Sequence, residues 1–222
     1  GTDAILASVL LAGGDHFIAR AWFDDKEPLA AEIVRSVGSR LLHFGGESGA
    51  SNAALVRQAL LFGEAVNNRL ASMRVGVVGC GGTGSATAML LARLGVGQLA
   101  LFDDDIVETS NLNRLHGARR ADADAMRPKV EVLAREITEL GLGLRVHTHR
   151  GWIEKEAARD ALKACDVIFG CTDDHAGRLF LNRFSHFYLI PVIDMGLAIE
   201  PASAGMRDMS ARVTVLTPGA PC

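Results

Sequence analysis

The stretch RVGVVGCGGTGS, residues 74–85, decides the fold. Its apolar half predicts a buried strand over residues 74–78, and a helix is predicted to follow over residues 86–94. Between them the glycines are spaced as G-x-G-x-x-G. A strand-to-helix turn needs such glycines because the backbone turns sharply and packs closely there. The glycines of this turn are Gly79, Gly81, Gly82 and Gly84.

Downstream of this turn, short apolar runs alternate with longer amphipathic stretches. This alternation predicts successive β-α-β units and therefore a parallel sheet. Strands are predicted over residues 98–102, 144–149, 166–170 and 191–194, helices over residues 128–140, 154–164 and 176–187, and a final strand over residues 211–216. The predicted fold class is α/β, a Rossmann-like and mostly parallel sheet with helices on both faces and an antiparallel extension near the C-terminus.

The N-terminal part of the chain does not follow this alternation. A strand is predicted over residues 16–23, and the stretch around residues 32–44 fits either a strand or a helix. The glycine-rich residues 45–49 predict a linker. We therefore expect a larger domain over residues 51–222, preceded by a segment over residues 1–50 that we interpret as the remnant of a preceding domain.

Composition excludes several classes of function. The chain has 222 residues, of which 49% are apolar, and its 23 basic and 26 acidic residues give a net charge of −3. This balance argues against general nucleic-acid binding and against a membrane-surface role. A membrane-spanning helix needs about 18 consecutive apolar residues, and no apolar run in the sequence is that long. Four cysteines, of which no two form a C-x-x-C pair, are too few for a disulfide framework in a chain of this size, so a reducing, cytoplasmic compartment is predicted.

The glycine turn also predicts a ligand. A helix that begins at such a turn points free N–H groups and the positive end of its dipole at an anion, typically a phosphate. Asp103 ends the next predicted strand, where an acidic residue can accept hydrogen bonds from a ribose. The alternative is a glycine-rich turn that serves only helix–strand packing. At this point, an NAD-dependent dehydrogenase fits as well as an ATP-binding protein.

Four polar residues favour ATP over NAD. Asn111 and Arg114 lie in the polar connection after the second predicted strand, and Lys129 opens the next helix. Fixed cations stabilise the negative charge that develops when pyrophosphate leaves ATP. Asp173 follows the fourth predicted strand, and a carboxylate facing a triphosphate is a suitable Mg²⁺ ligand. Taken singly, Arg114 and Lys129 could be solvated charges, and Asp173 could cap the following helix.

These motifs together resemble the ThiF/MoeB/HesA family, which includes the adenylating domain of ubiquitin-activating enzymes. The resemblance covers residues 53–222 and is carried by residues 74–85, 102–114, 127–130 and 171–174, in this order. It implies that a carboxylate is adenylated by Mg-ATP with release of pyrophosphate. The carboxylate is usually that of the C-terminal glycine of a ubiquitin-like or sulfur-carrier protein.

The resemblance also assigns roles to single residues of the nucleotide site. Asp103 matches the acid that binds the ribose, and we add Asp105 to the nucleotide-binding set. Asn111, Arg114 and Lys129 match residues on the phosphate side.

Two further residues carry roles that the resemblance implies. Asp173 matches the magnesium-linked aspartate. Arg57, in the segment VRQALLFG, matches an arginine that reaches the ATP of the opposite protomer, so a homodimer is expected.

The cysteines depart from what many members of the family carry. The C-x-x-C pairs of a structural zinc site are missing up to Cys222, and no zinc is predicted. Cys80, Cys165 and Cys171 lie in or beside buried elements, so we interpret them as small buried residues and not as nucleophiles that form a thioester.

Other functions stay open at this stage. The same ATP site would serve adenylation of a small molecule, a peptide or a tRNA base. A nucleotide-binding scaffold without turnover and an NAD(P)-linked oxidoreductase are the alternatives from other classes. The joint presence of Asp103, Arg114, Lys129 and Asp173 argues against the scaffold, and the loop from Asn111 to Arg114 together with Lys129 argues against the oxidoreductase.

Overall fold

The computed structural model describes residues 5–11, 17–23, 27–31, 33–37, 42–45, 53–200 and 208–218. The chain divides into two compact units, Gly1–Glu47 and Ser48–Cys222. Among the described residues, none of the helices combines the length and the apolar character needed to span a membrane.

The first unit consists of strands in the residues described. They are β1 (Ile5–Leu11), β2 (Phe17–Phe23), β3 (Leu29–Ala30), β4 (Ile33–Ser36) and β5 (Leu42–Gly45). The first three form an antiparallel sheet in the order β1-β2-β3, and β4 pairs with β5 as an antiparallel hairpin. The strand predicted over residues 16–23 is β2, and the ambiguous stretch around residues 32–44 contains β4 and β5. Of the predicted linker, residues 46–49 lie outside the described residues.

The second unit alternates helices and strands. After a short 3-10 helix (Ala53–Leu55) its elements are α1 (Val56–Phe62), α2 (Glu64–Ser72), β6 (Arg74–Val78), α3 (Gly82–Leu94), β7 (Gln98–Asp103), a second 3-10 helix (Thr109–Asn111), α4 (Arg120–Asp124), α5 (Lys129–Glu139), β8 (Arg145–Arg150), α6 (Glu156–Lys163), β9 (Val167–Gly170), α7 (His175–Tyr188), β10 (Val192–Glu200) and β11 (Asp208–Leu216).

Six strands form one sheet in the order β11-β10-β9-β6-β7-β8. All neighbours pair in parallel except β10 and β11, which pair antiparallel over their full length. The α/β fold class with a mostly parallel sheet and an antiparallel C-terminal extension is therefore confirmed. The strand order reverses at β6, whose neighbours are β7 and β9. In open α/β sheets, the crevice at such a reversal is where ligands bind.

Helices cover both faces of the sheet, and successive side chains of β6 pack against helices on opposite faces. Val77 belongs to the apolar cluster that contains residues of α3 and α5, such as Leu91 and Leu133. Val78 belongs to the cluster that contains residues of α6 and α7, such as Leu162. Strands that are buried on both faces are continuous apolar runs in the sequence, which is why their positions could be predicted.

The glycine turn fits only glycine at two positions. Gly79 has a φ of 86°, a region that side chains with a Cβ avoid. A Cβ on Gly84 would lie 1.7 Å from the carbonyl oxygen of Gly79, so the first turn of α3 packs directly on the end of β6. The helix begins at Gly82, four residues before its predicted start at residue 86. The predicted start is late because glycine has a low helix propensity, whereas the close packing of this turn requires glycine.

The predicted polar connection after β7 is partly helical. It contains the second 3-10 helix and α4, and it encloses a small apolar cluster of Val107, Leu115 and Val132. The carboxylate of Asp122, whose side chain is 3% exposed, accepts hydrogen bonds of 2.7 and 3.0 Å from the guanidinium of Arg135 on α5. This pair fixes the connection against α5.

We expect Gly84→Ala to lower the free energy of unfolding by at least about 3 kcal/mol, since the added methyl group overlaps the Gly79 carbonyl oxygen. Gly81→Ala is the matched control, because a Cβ there meets nothing within 4 Å. Urea unfolding followed by the fluorescence of Trp152 in a Trp22→Phe background measures both variants. Equal stability of the two variants would contradict the packing argument.

The Asp122–Arg135 pair predicts a loss of stability in acid. Hydrogen bonds from Arg135 lower the pKa of Asp122 from 3.8 to about 2. The unfolded state therefore binds more protons in this range, and about 2 kcal/mol of stability is present above about pH 4 and is lost as the pH falls towards 2. Asp122→Asn should be less stable than wild type at neutral pH and converge with it near pH 2. Asp124→Asn, an exposed position on the same helix, should track wild type throughout.

Candidate nucleotide site

A cavity of about 680 Å³ opens at the carboxyl ends of β6, β7 and β9. It holds all the predicted site residues except Arg57 and Gly84. Its lining includes Gly79, Gly81, Gly82, Asp103, Asp105, Asn111, Arg114, Lys129 and Asp173. Residues that are up to 94 positions apart in the chain therefore share one pocket, as expected for the ends of parallel strands in one sheet.

The glycine turn presents bare backbone to this cavity. The N-cap of α3 is Gly81, no side chain caps the helix, and its first turn contains no acidic residue. A Cβ on Gly81 would meet nothing within 4 Å, so the space next to it is open. The amides at the start of α3 can therefore be satisfied by an anion such as a phosphate.

Asp103 is held in place by backbone amides. Its Oδ2 accepts a hydrogen bond of 2.6 Å from the Cys80 amide, and its Oδ1 accepts one of 2.8 Å from the Asp105 amide. Burial raises the pKa of Asp103, and the two amides act in the opposite direction. The carboxylate links the end of β7 to the glycine turn, and each oxygen keeps a lone pair that can accept from a ribose hydroxyl.

Lys129 is not a solvated charge. Its side chain is 11% exposed, and its Nζ lies 2.6 Å from Oδ2 of Asp105. The Lys129 amide also donates to the Asp105 carbonyl oxygen at 3.0 Å. The start of α5 is thus fixed to the segment after β7, and both Lys129 and Asp105 line the cavity.

Asn111 and Arg114 are positioned by the second 3-10 helix. Asn111 is 9% exposed, and its Oδ1 accepts from the Glu108 amide at 2.9 Å in a capping box. Arg114 donates from Nη1 to the Ser110 carbonyl oxygen at 2.8 Å. The stem of Arg114 packs beside Gly82, where a Cβ would lie 3.3 Å from the Arg114 Cδ. The aliphatic stem of Arg114 therefore lies next to the start of α3, and Arg114 lines the cavity.

Asp173 and Asp174 have different roles although they are adjacent. Asp174 is the N-cap of α7, and its Oδ1 accepts from the Gly177 amide at 2.6 Å. The alternative in which Asp173 caps this helix is therefore wrong. Among the described residues, the exposed carboxylate of Asp173 has no hydrogen bond or ion pair, and it lines the cavity.

A second group of carboxylates lies at the end of β7. Single oxygens of Asp103, Asp104 and Asp105 all lie within 4.8 Å of one another, close enough to share a cation. However, Asp103 is already bonded to two amides, and Asp105 is paired with Lys129. These commitments leave Asp104 and Asp173 as the carboxylates of the cavity for which no bond is seen among the described residues, and Asp173 is the one that follows β9.

Several lining residues were not found from the sequence. Trp152 follows β8 and Thr172 follows β9, so their positions after strand ends were available as a clue. His116 and Leu197 line the same cavity, and no pattern in the sequence marks them. They reach the site only because the connection after β7 and the extended part of β10 fold over it.

The described cysteines lack the properties of nucleophiles. Burial is the main cause that raises the pKa of Cys80 well above its usual range and the pKa of Cys171 to about 12. Cys80 and Cys165 are fully buried. A thiolate nucleophile needs a lowered pKa and access to its substrate, so this supports the interpretation of these cysteines as packing residues. Cys222 lies outside the described residues.

Arg57 lies away from this cavity. It is exposed on α1, and its neighbour Gln58 donates to the carbonyl oxygen of Leu94, at the C-terminal end of α3. The glycine turn is at the other end of α3, whose 13 residues span about 20 Å. This length is greater than that of an arginine side chain, and Arg57 is not among the residues that line the cavity.

Comparison with known proteins gives consistent matches. The "SAMP-activating enzyme E1" of Haloferax volcanii is 32% identical over 154 residues, which are 69% of this chain and 53% of that protein. The "Sulfur carrier protein ThiS adenylyltransferase" of Escherichia coli K12 is 37% identical over 128 residues, 57% of this chain and 50% of that protein. The chain therefore spans about half the length of these curated relatives.

Solved structures show the same fold. E. coli MccB, solved with ATP, is 22% identical with a TM-score of 0.61, and the match covers 76% of this chain and 50% of that one. The tRNA N6-threonylcarbamoyladenosine dehydratase TcdA of E. coli is 27% identical with a TM-score of 0.58, covering 64% of this chain and 59% of that one. The profile of the ThiF family matches residues 55–222, more than half of the chain. With this fold and this cavity, the chain belongs to the ThiF family.

Proposed function

We propose that this chain binds ATP in the cavity and adenylates the C-terminal carboxylate of a ubiquitin-like or sulfur-carrier protein. The observation that carries the proposal is the meeting of Arg114, Lys129 and Asp173 with the glycine turn in one cavity. Two cations and an exposed carboxylate beside the glycine turn suit a triphosphate with Mg²⁺ better than the pyrophosphate of a nicotinamide dinucleotide. The names of the relatives, a SAMP-activating enzyme and a ThiS adenylyltransferase, support the class of acceptor.

The chemistry is a substitution at the α-phosphorus of ATP. A carboxylate oxygen of the acceptor forms a bond to this phosphorus, the bond to the bridging oxygen of the β-phosphate breaks, and pyrophosphate leaves with the electron pair. The product is an acyl adenylate. Because a carboxylate is a poor electrophile, linking it to AMP provides the leaving group that a later nucleophile needs.

The protein contributes mainly position and charge. Amides at the start of α3 hold phosphate oxygens, and Asp103 holds the ribose, so the triphosphate is fixed before reaction. Lys129 and Arg114 stabilise the charge that grows on the leaving pyrophosphate. Lys129 is already partly desolvated and fixed by Asp105, so little reorganisation is needed at the moment of reaction.

Asp173 is the residue that we assign to Mg²⁺. Its carboxylate lines the cavity and is not bonded within the described residues, which suits an ion that takes one or two carboxylates with phosphate oxygens and water. When bound, Mg²⁺ would neutralise phosphate charge and hold the triphosphate in one geometry.

We further propose that the chain works as a homodimer in which Arg57 acts on the partner's ATP. The absence of Arg57 from the lining of the cavity, and its place beside the opposite end of α3 from the glycine turn, support a role in trans. Next to Arg57, α1 exposes Leu60, Leu61 and Phe62, whose side chains are 83%, 75% and 59% exposed. Apolar exposure of this extent on one short helix is typical of an interface.

Adenylation of a small molecule, a peptide or a tRNA base would use the same ATP site and stays an alternative within the proposal. The cytoplasmic compartment also stays a prediction.

ATP–pyrophosphate exchange with candidate ubiquitin-like and sulfur-carrier proteins tests the proposed function. We expect exchange that depends on Mg²⁺ and on one such acceptor, and a change in Trp152 fluorescence with ATP in the Trp22→Phe background. Tight binding of NAD with no exchange for any protein, peptide or small carboxylate would overturn the proposal. Exchange with a peptide or a small carboxylate alone would keep the ATP chemistry and replace the acceptor.

We expect Asp173→Asn to reduce exchange at least about 100-fold, since the proposed metal ligand is lost without a change in shape. The exposed Asp124→Asn, remote from the cavity, is the control and should stay within about twofold of wild type. Both variants should unfold at the wild-type urea concentration. Unchanged exchange in Asp173→Asn would remove Asp173 from the mechanism.

The dimer proposal predicts complementation between two inactive variants. Arg57→Ala and Asp173→Ala should each lose exchange, and mixing them after subunit exchange should restore about a quarter of wild-type activity. Half of the mixed dimers combine both variants, and each of these has one intact site. Activity that is not restored in dimers shown to have exchanged, or a wild-type chain that sediments only as a monomer, would contradict the trans role of Arg57.

A further inference from the structure

Arg178 on α7 connects three acceptors near the cavity. Its Nη2 donates to the carbonyl oxygens of Thr172 at 2.9 Å and Met195 at 3.5 Å, and its Nη1 donates to Oδ2 of Asp194 at 3.2 Å. Thr172 directly precedes Asp173, and Asp194 lies on β10. One guanidinium therefore bridges the loop after β9 to the neighbouring strand.

This bridge lies where the ladder between the two strands ends. The last parallel pair of β9 and β10 is Gly170 with Asp194. Beyond it, β10 continues as a long hairpin with β11, and the chain after β9 turns into the loop that carries Asp173. Backbone hydrogen bonds of the ladder no longer hold this loop to β10, and Arg178 takes over the connection.

The ion pair between Arg178 and Asp194 is largely buried. Asp194 is 6% exposed, and its buried Oδ1 has no hydrogen-bond partner among the described residues. A buried pair with an unsatisfied oxygen is often no more stabilising than apolar residues of the same volume. We therefore look for the role of this pair in the segments that it holds in position.

The guanidinium of Arg178 packs directly against Gly196 of β10. A Cβ on Gly196 would lie 2.6 Å from Nη1 of Arg178, so a larger residue there would push the end of the arginine side chain aside. Arg212 on β11 also donates to Oδ2 of Asp194, at 3.4 Å, but its side chain is 68% exposed and no bond to the Asp173 loop is seen among the described residues.

We propose that Arg178 is a positioning residue that holds the Thr172 carbonyl against β10 and so fixes the Asp173 carboxylate towards the cavity. This inference rests on the proposed function for Asp173. In this proposal, Arg178 contacts no reacting atom and acts only through the loop that carries Asp173. Loss of the bridge should weaken the binding of Mg²⁺, because the groups that orient a metal-binding carboxylate contribute to its affinity for the metal.

Arg178→Lys and Gly196→Ala test the bridge from its two sides. Lysine keeps the charge beside Asp194 but is a compact ammonium that cannot span a carboxylate and two carbonyls, and the alanine displaces the guanidinium without removing it. We expect the Mg²⁺ concentration for half-maximal exchange to rise about tenfold in both variants, with the half-saturating ATP concentration within about twofold of wild type. Arg212→Gln is the matched control on the same carboxylate and should behave as wild type.

Amide hydrogen exchange gives a readout without turnover. In the protein without nucleotide, the amides of residues 171–174 should exchange faster in Arg178→Lys and Gly196→Ala, and the β6 amides should not. The inference would be overturned if the variants kept the wild-type Mg²⁺ requirement and the wild-type rate of amide hydrogen exchange in residues 171–174. It would also be overturned if Arg212→Gln changed both as much as Arg178→Lys does. If wild type shows no ATP–pyrophosphate exchange at all, the proposed function fails, and the amide measurement still decides whether Arg178 holds the loop.

Discussion

The contact between the first turn of α3 and the end of β6 is the constraint on which the rest of the site depends. Because Gly84 has no side chain, the helix starts directly on the carbonyl of Gly79, and its free amides face the cavity. The reversal of strand order at β6 brings the ends of β7 and β9 to the same place. The other polar residues of the site, from Asp103 to Asp173, line the same cavity as these amides.

Those groups are fixed mostly by backbone contacts and not by each other's side chains. Asp103 is held by two amides, Asn111 by a capping box, and Asp174 by the helix that it caps. The exceptions are Lys129, which pairs with Asp105, and the bridge of Arg178. A site built in this way is largely formed before a ligand arrives, which is what electrostatic stabilisation of a developing charge requires.

The two ends of α3 have separate functions in the proposals made above. Its N-terminus faces the nucleotide cavity, and its C-terminus receives Gln58 of α1 and so fixes the place of Arg57. In the proposed dimer, this separation would keep Arg57 away from its own cavity and leave it available to a second protomer. The exposed apolar side chains of α1 lie beside it, so interface and trans contact would form together.

The sequence by itself determined the order and type of most elements of the second unit, because buried parallel strands and amphipathic helices have distinct apolar periods. It also determined which residues lie at strand ends, and so most of the cavity lining, from Asp103 to Asp173. It did not show that α3 begins at Gly82, that the connection after β7 has its own small core, or that Asp174 and not Asp173 caps α7. These features, like the approach of Trp152, Leu197 and Arg178 to the cavity, were decided only by the tertiary structure. They depend on packing and hydrogen bonds between segments that are distant in the chain, and no local pattern records such contacts.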